Sequence, residues 1–158
     1  MYYQPTLERY IPTRNTMATW IDSEFIEGKR ALKVRLAQSR SRVYISFNIW
    51  TSISQLLILG IYAHFLALDL TLQHSLLALR VLPEDHSGEG MAEVIKKVML
   101  EYKIVGKWGV YISNNASAND SCCAALVRDL RLGEPITGRR ARYFGHIVNL
   151  AAKAFIYS

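Results

Sequence analysis

Cysteine is scarce in this 158-residue chain: only Cys122 and Cys123 occur, side by side. Sequence neighbours rarely bond to each other, so a disulfide framework is not expected, and no Cys-x-x-Cys pair or histidine cluster has the spacing of a zinc site. A reducing compartment follows from that usage. No internal repeat or low-complexity tract is present. The amino terminus, Met1-Tyr2-Tyr3-Gln4-Pro5, lacks the basic-then-apolar layout of a signal peptide.

Formal charge is missing from Val43 to Leu68, a run of 26 residues long enough to mimic a membrane span. Ser46, Asn48, Thr51, Ser52, Ser54, Gln55 and His64 interrupt it, and only Leu56–Leu68 stays largely apolar. A buried strand accounts for that stretch better than a bilayer helix, so no membrane partner is expected.

What is present is globular. Hydrophobic residues make up 51% of the chain and the mean hydropathy is +0.08, enough for one domain with a real core but not for two. The net charge of +6 is uneven: residues 1–42 hold eight basic and four acidic side chains, residues 43–132 seven and eight, and residues 133–158 four and one. Basic flanks around a near-neutral centre suit a polyanionic partner such as nucleic acid. Solvated helix faces are the alternative.

The pattern divides the chain into a lead-in with a basic helix (1–42) and a core (43–158). A helix is expected from Thr16 to Ser39, with Met17, Ile21, Phe25, Leu32 and Leu36 on one face and Gly28 as an interruption. Val43, Ile45, Phe47 and Ile49 alternate with Tyr44, Ser46, Asn48 and Trp50, the period of a strand, which puts Asn48 with Ser46 on the face opposite Phe47. Leu56–Ala67 reads as a central strand apolar on both sides, and Leu70–Leu82 as a third, completing an antiparallel meander. Ser87 is placed to cap a helix with Met91, Val94, Ile95, Val98 and Tyr102 along one stripe. Trp108–Ser113 gives a fourth strand. Ser117 and Asp120 then resemble a capping box ahead of a helix with Cys123, Leu126, Val127 and Leu130 inward. A basic loop (133–142), a short extended piece from Ala141 to Phe144 and a last helix with Ile147, Leu150, Ala151 and Ala154 follow. The fold class is α/β: a preceding helix, three antiparallel strands, then helix, strand, helix, short strand and helix. That order is the opening of a ribonuclease H-like fold.

Several ordered blocks together resemble the hAT superfamily of DNA transposases, in the branch common in fungal genomes. They are Ile45-Ser-Phe-Asn-Ile-Trp-Thr-Ser52, Leu59-Gly-Ile-Tyr-Ala-His-Phe65, Leu76-Leu-Ala-Leu-Arg80 and His86-Ser-Gly-Glu89, with Asn114-Asn-Ala-Ser-Ala-Asn-Asp120 and Phe144-Gly-His-Ile-Val-Asn-Leu-Ala-Ala-Lys-Ala-Phe155. Thr13-Arg14 with Trp20 resembles the family's helix before the core. The resemblance implies a metal-binding Asp at the position of Asn48 and a second at the position of Asn114. A Cys-x-x-His pair would correspond to Tyr143 and His146. It also implies a catalytic Glu beyond a large helical insertion, and the sequence has no counterpart of either. A nuclear location and Mg2+ use by the ancestral enzyme are further implications.

Two divalent ions need hard anionic oxygens on a rigid scaffold. An asparagine keeps the size of aspartate but leaves a neutral carbonyl oxygen, so with both acids replaced and the Glu missing no catalytic activity and no cofactor are expected. Asp69, Glu84, Asp85, Glu89 and Asp120 lie in turns or at helix starts, away from a strand end facing Asn48. Asp to Asn twice and Cys to Tyr are each single G-to-A codon changes, the bias left by mutational silencing of repeated DNA. Selective disarming for binding is the alternative.

Other residues have structural readings. Trp50 and Trp108 are expected to pack in the core or against strands, and His64 to be a hydrogen-bonded core histidine. Ser87 and Ser117 are caps and not nucleophiles. Arg139, Arg140, Arg142 and His146 are the candidate nucleic-acid contacts, with an ordinary solvated loop as the alternative. Expected partners are DNA through the basic flanks, a second copy of the chain, or an intact transposase relative; no small-molecule substrate is evident. Because the resemblance implies missing covering elements, one sheet face should lack its cover, which predicts marginal stability or oligomerisation.

Overall fold

The computed structural model describes residues 12–82, 87–113, 118–130 and 140–142. The chain divides into two compact units, Met1–Arg35 and Leu36–Ser158.

Helix α1 runs from Arg14 to Ala37. Thr13 starts it: the Thr16 N–H donates to Thr13 Oγ1 at 3.2 Å, satisfying a backbone donor that the first turn leaves open. Gly28 does not interrupt it, and the space where its Cβ would sit is empty. The expected inward stripe is not inward over its first half, for Met17, Ile21 and Phe25 are 47%, 65% and 61% exposed. Leu32 and Leu36 are buried as expected. At the end of the helix Lys107 Nζ donates to the carbonyls of Ala37 and Ser39, a cation where the helix dipole is negative.

The second unit is built on a five-stranded sheet, β1 (Val43–Thr51), β2 (Leu57–Leu66), β3 (Leu72–Val81), β4 (Trp108–Ser113) and β5 (Arg140–Arg142), in the order β3-β2-β1-β4-β5. β1, β2 and β3 form the expected antiparallel meander, while β4 lies parallel to β1 and β5 parallel to β4. The turns use local chemistry. Between β1 and β2 the Leu56 N–H donates to Ser52 Oγ at 3.0 Å, and between β2 and β3 both the N–H and the hydroxyl of Thr71 donate to Asp69 Oδ1.

Helix α2 (Gly88–Glu101) starts at Ser87, whose side chain accepts from the Gly90 N–H at 3.1 Å, as expected of a cap. It ends in a Schellman motif: the Ile104 N–H donates to Met99 O and the Lys103 N–H to Leu100 O, with Lys103 held at φ 57°. Helix α3 spans Ala118–Asp129. Gly88 is where α2 and α3 approach, since a Cβ there would lie 2.0 Å from Ser121 Oγ and 2.5 Å from the Cys122 nitrogen.

The core fills one side of the sheet. Val43, Ile45 and Phe47 from β1, Leu59, Ile61, Ala63 and Phe65 from β2, and Trp108 from β4 are buried there. α2 adds Met91, Ile95, Val98 and Met99, and α3 adds Cys122, Cys123, Ala125 and Leu126. Each large side chain buried this way contributes about 1.5–3 kcal/mol. Beyond the end of α2, Tyr102 donates its hydroxyl to Leu77 O at 2.8 Å, at the irregularity where the β2–β3 register shifts.

Two expectations need correction. β2 is not the central strand, a place taken by β1, and it is not covered on both sides, because Tyr62 is exposed and His64 half-buried. The short strand expected from Ala141 is present as β5 but starts one residue earlier, at Arg140, so Arg140 leaves the basic loop for the sheet edge, pairing with Tyr111, and Ser113 pairs with Arg142. The expected Ser117 cap and the last helix lie outside the described residues. Among the described residues no helix is long and apolar enough to cross a membrane.

Candidate functional site

β1 is the centre of the sheet, with β2 on one side and β4 on the other. Its alternation is strict at first: Val43, Ile45 and Phe47 are buried, while Tyr44, Asn48 and Trp50 are exposed. Asn48 therefore projects from the side of the sheet opposite the core, as the sequence pattern predicts. Across β2 it pairs with Gly60, which has no side chain to crowd it. The pair Ser46–Ile112 brings the C-terminal end of β4 beside the middle of β1. Asn114 follows that end in sequence and lies outside the described residues, as do Arg139 and His146. Arg140 and Arg142 are placed on β5, next to β4.

Asn48 shares its face with a hydrogen-bonded pair that pattern reading did not find. Ser46 Oγ lies 2.7 Å from His64 Nε2, one register step along from the direct Tyr44–His64 pairing. Opposite His64 on β3 stands His74. Burial, and secondarily the neighbouring His74, hold the His64 imidazole below the usual histidine range. His64 is hydrogen-bonded as expected, yet it belongs to the open face and not to the core. Register sets this grouping: Tyr44 pairs with His64 and His64 with His74, which puts Ser46, His64 and His74 on one side.

Trp50 packs on the strand beside it. A Cβ at Gly60 would sit 2.9 Å from Cζ3 of the Trp50 ring, so the indole lies over the glycine. Trp108 is in the core, 1% exposed. Both fit the structural reading.

The donor set on this face is poor for a hard cation. Asn48 offers a neutral oxygen, the Ser46 hydroxyl is engaged with His64, and Tyr62 and His74 bring no carboxylate. Asp69 is in the β2–β3 turn, occupied by Thr71, and Glu89 and Asp120 are in the first turns of α2 and α3. Among the described residues no three His, Cys, Asp or Glu side chains come together as metal ligands. The described residues of this face do not supply the carboxylates of a two-metal centre. Nor is Cys122 a nucleophile. Burial, then Cys123 and Glu89, push its thiol up to about 12, so it stays protonated.

Sequence comparisons agree with this architecture. Two curated proteins of Zea mays, described as a putative AC transposase and a putative AC9 transposase, are each 24% identical to the chain over 148 residues. The match covers 90% of this chain and 18% of either relative, so the chain spans less than a fifth of their length. The family described as the ZBED1 RNase-like domain matches residues 46–139, from the middle of β1 to just before β5, which is more than half of the chain. With a strand order and helix placement that suit such a domain, the chain belongs to the ZBED1 RNase-like domain family and is related to hAT-type transposases.

Proposed function

We propose that the chain is the opening part of a hAT-type transposase core of the fungal branch, and that it has no catalytic activity of its own. The observation that carries this reading is Asn48, at the position where the family resemblance requires an acid, on a face whose described neighbours supply no carboxylate. Losing one electrostatic contact to a developing charge typically costs about 3–4 kcal/mol in the transition state. Asn114 stands at the second acid position, so the loss is compounded. The test is a nicking and strand-transfer assay with the purified chain, supercoiled DNA and Mg2+ or Mn2+. No product is expected. Metal-dependent nicking that disappears in Asn48→Ala would overturn the reading.

A second reading, favoured by the exposed Arg30, Arg35, Arg40 and Arg42, is a nuclear nucleic-acid-binding module kept after catalysis was lost. Arg139, Arg140, Arg142 and His146 are further candidate contacts of such a module. Binding of this kind is sequence-independent and weakens steeply with salt, each phosphate contact adding about one unit to the log–log slope. Gel-shift titrations across salt separate the two readings. A slope that flattens in Arg139→Ala/Arg140→Ala supports the binding module, and the absence of any shift at low salt removes it.

A further inference from the structure

Strand register lines up three side chains across the sheet, on the side away from the core. Tyr44 on β1 pairs with His64 on β2, and His64 pairs with His74 on β3. Directly opposite residues of an antiparallel pair hold their Cβ atoms about 4.5–5.5 Å apart, so the two imidazoles stand side by side. His74 is near enough to act on the titration of His64, whose lowered pKa keeps its ring neutral at neutral pH, with a lone pair to give. Ser46 decides which nitrogen carries that pair. Its Oγ lies 2.7 Å from His64 Nε2, on the β1 side of β2. The two nitrogens of an imidazole point in nearly opposite directions, so Nδ1 is turned away from β1, and β3 lies on that side. With Nε2–H donating to Ser46, Nδ1 holds the lone pair. Histidines that bind metals are generally arranged this way, one nitrogen on the ion and the other N–H held by an oxygen acceptor.

We propose that His64 and His74 form a two-histidine site for a borderline divalent transition cation (Ni2+, Cu2+ or Zn2+), with Ser46 orienting the His64 ring. Imidazole nitrogen suits these ions and holds zinc at about 2.0–2.1 Å, whereas Mg2+ takes oxygen ligands. The face that lacks carboxylates for a hard cation therefore has nitrogen donors for a softer one. Two protein ligands make a weaker site than the four of a structural zinc centre, and water completes the coordination. The register of β2 and β3 alone fixes the pair, so the site does not depend on what else lies over the sheet. It is also separate from cleavage and from DNA binding, because neither histidine stands at an acid position of the family and neither is among the basic contacts.

The experiment is calorimetric titration of the untagged full chain with Ni2+ at neutral pH, paired with thermal melts. One equivalent should bind and raise the melting midpoint, since the folded chain holds the two rings together. His64→Asn and His74→Asn should each weaken binding at least tenfold. Ser46→Ala should weaken it about tenfold, the usual effect of removing a group that orients a ligand. The chain has four histidines, and His86→Asn/His146→Asn, which replaces the other two, should leave the affinity unchanged. An excess of Mg2+ should not compete. No binding up to about 1 mM Ni2+ overturns the proposal, as do binding that survives His64→Asn and His74→Asn and displacement by Mg2+. Unchanged affinity in Ser46→Ala overturns the orienting role. If the histidine variants do not fold, acylation of the unsubstituted chain by diethyl pyrocarbonate, mapped by mass spectrometry, decides. Protection of His64 and His74 by Ni2+ supports the site. Protection confined to His86 and His146, or none, overturns it.

Discussion

Phe65 on β2 is 1% exposed and Leu72 on β3 is 73% exposed, although both are large apolar side chains at the same end of one antiparallel pair. They point to opposite sides of the sheet. Phe65 belongs to the buried core to which α2 and α3 contribute, whereas nothing among the described residues covers Leu72. The same strands thus build a core on one side and an apolar surface on the other. Side-chain alternation decides which residues share a side; only the elements that return over the sheet decide which side becomes interior.

The largest expected effect tests that difference directly. Phe65→Ala should cost about 3–5 kcal/mol, because the covered side cannot collapse into the space left behind. Leu76→Ala, on the open side, should cost less than about 1 kcal/mol, because the side chain is 42% exposed. Urea unfolding at low micromolar concentration gives both numbers, and equal costs would mean that the two sides are covered alike.

Two glycines sharpen the contrast at a smaller scale. At Gly88, on the covered side, an added Cβ meets Ser121 Oγ at 2.0 Å and backbone atoms of Cys122 and Ala118 at 2.5 and 2.6 Å. Backbone cannot yield, so Gly88→Ala should destabilise by about 1–3 kcal/mol or more and loosen the α2–α3 contact. At Gly60, on the open side, the nearest atoms belong to the Trp50 ring, which is 39% exposed and free to swing outward. Gly60→Ala should therefore cost under about 1 kcal/mol while red-shifting tryptophan emission. An unshifted spectrum with a large stability loss would show that the indole is held as firmly as the core.

How much of this was legible follows from the range of the signals involved. Strand alternation from Val43 to Trp50, the Ser87 cap and the three-strand meander are local patterns, and the structure repeats them to within a residue or two. The position of Asn48 opposite the core was legible for the same reason. The Ser46–His64 contact was not, because it needs the β1–β2 register, a long-range quantity fixed by the turn at Ser52–Leu56. α1 misled for a related reason: Met17, Ile21 and Phe25 make a helical stripe whether or not anything lies against it. The short strand near Ala141 was legible but its bounds were not, because three residues are too few to show a period and only pairing with β4 sets where β5 begins and ends.

The smallest effect concerns the polar island on the open side. His64 is flanked by Tyr44 and Ser46 on β1 and by His74 on β3. Burial first, and His74 second, lower its pKa from the ordinary 6.5, so between the two values the unfolded chain binds the extra proton and the folded chain does not. Stability from this group is consequently complete above about pH 6.5 and is lost as pH falls through the lower folded value. Asp69, Glu93 and Asp129 also have lowered pKa values, but from 3.8, 4.5 and 3.8, so they act in a more acidic window. Thermal melts of dilute protein between pH 7 and pH 5 should show a falling midpoint. The fall should be shallower in His64→Asn, which removes the titrating group, and in His74→Asn, which removes the neighbour that helps to lower it. Because the second substitution leaves the Ser46–His64 hydrogen bond in place, a shallower slope there isolates the charge of His74 from the loss of that bond. Identical slopes in all three proteins would show that the island titrates as it does in the unfolded chain, and that the open side is as wet at its centre as at its rim.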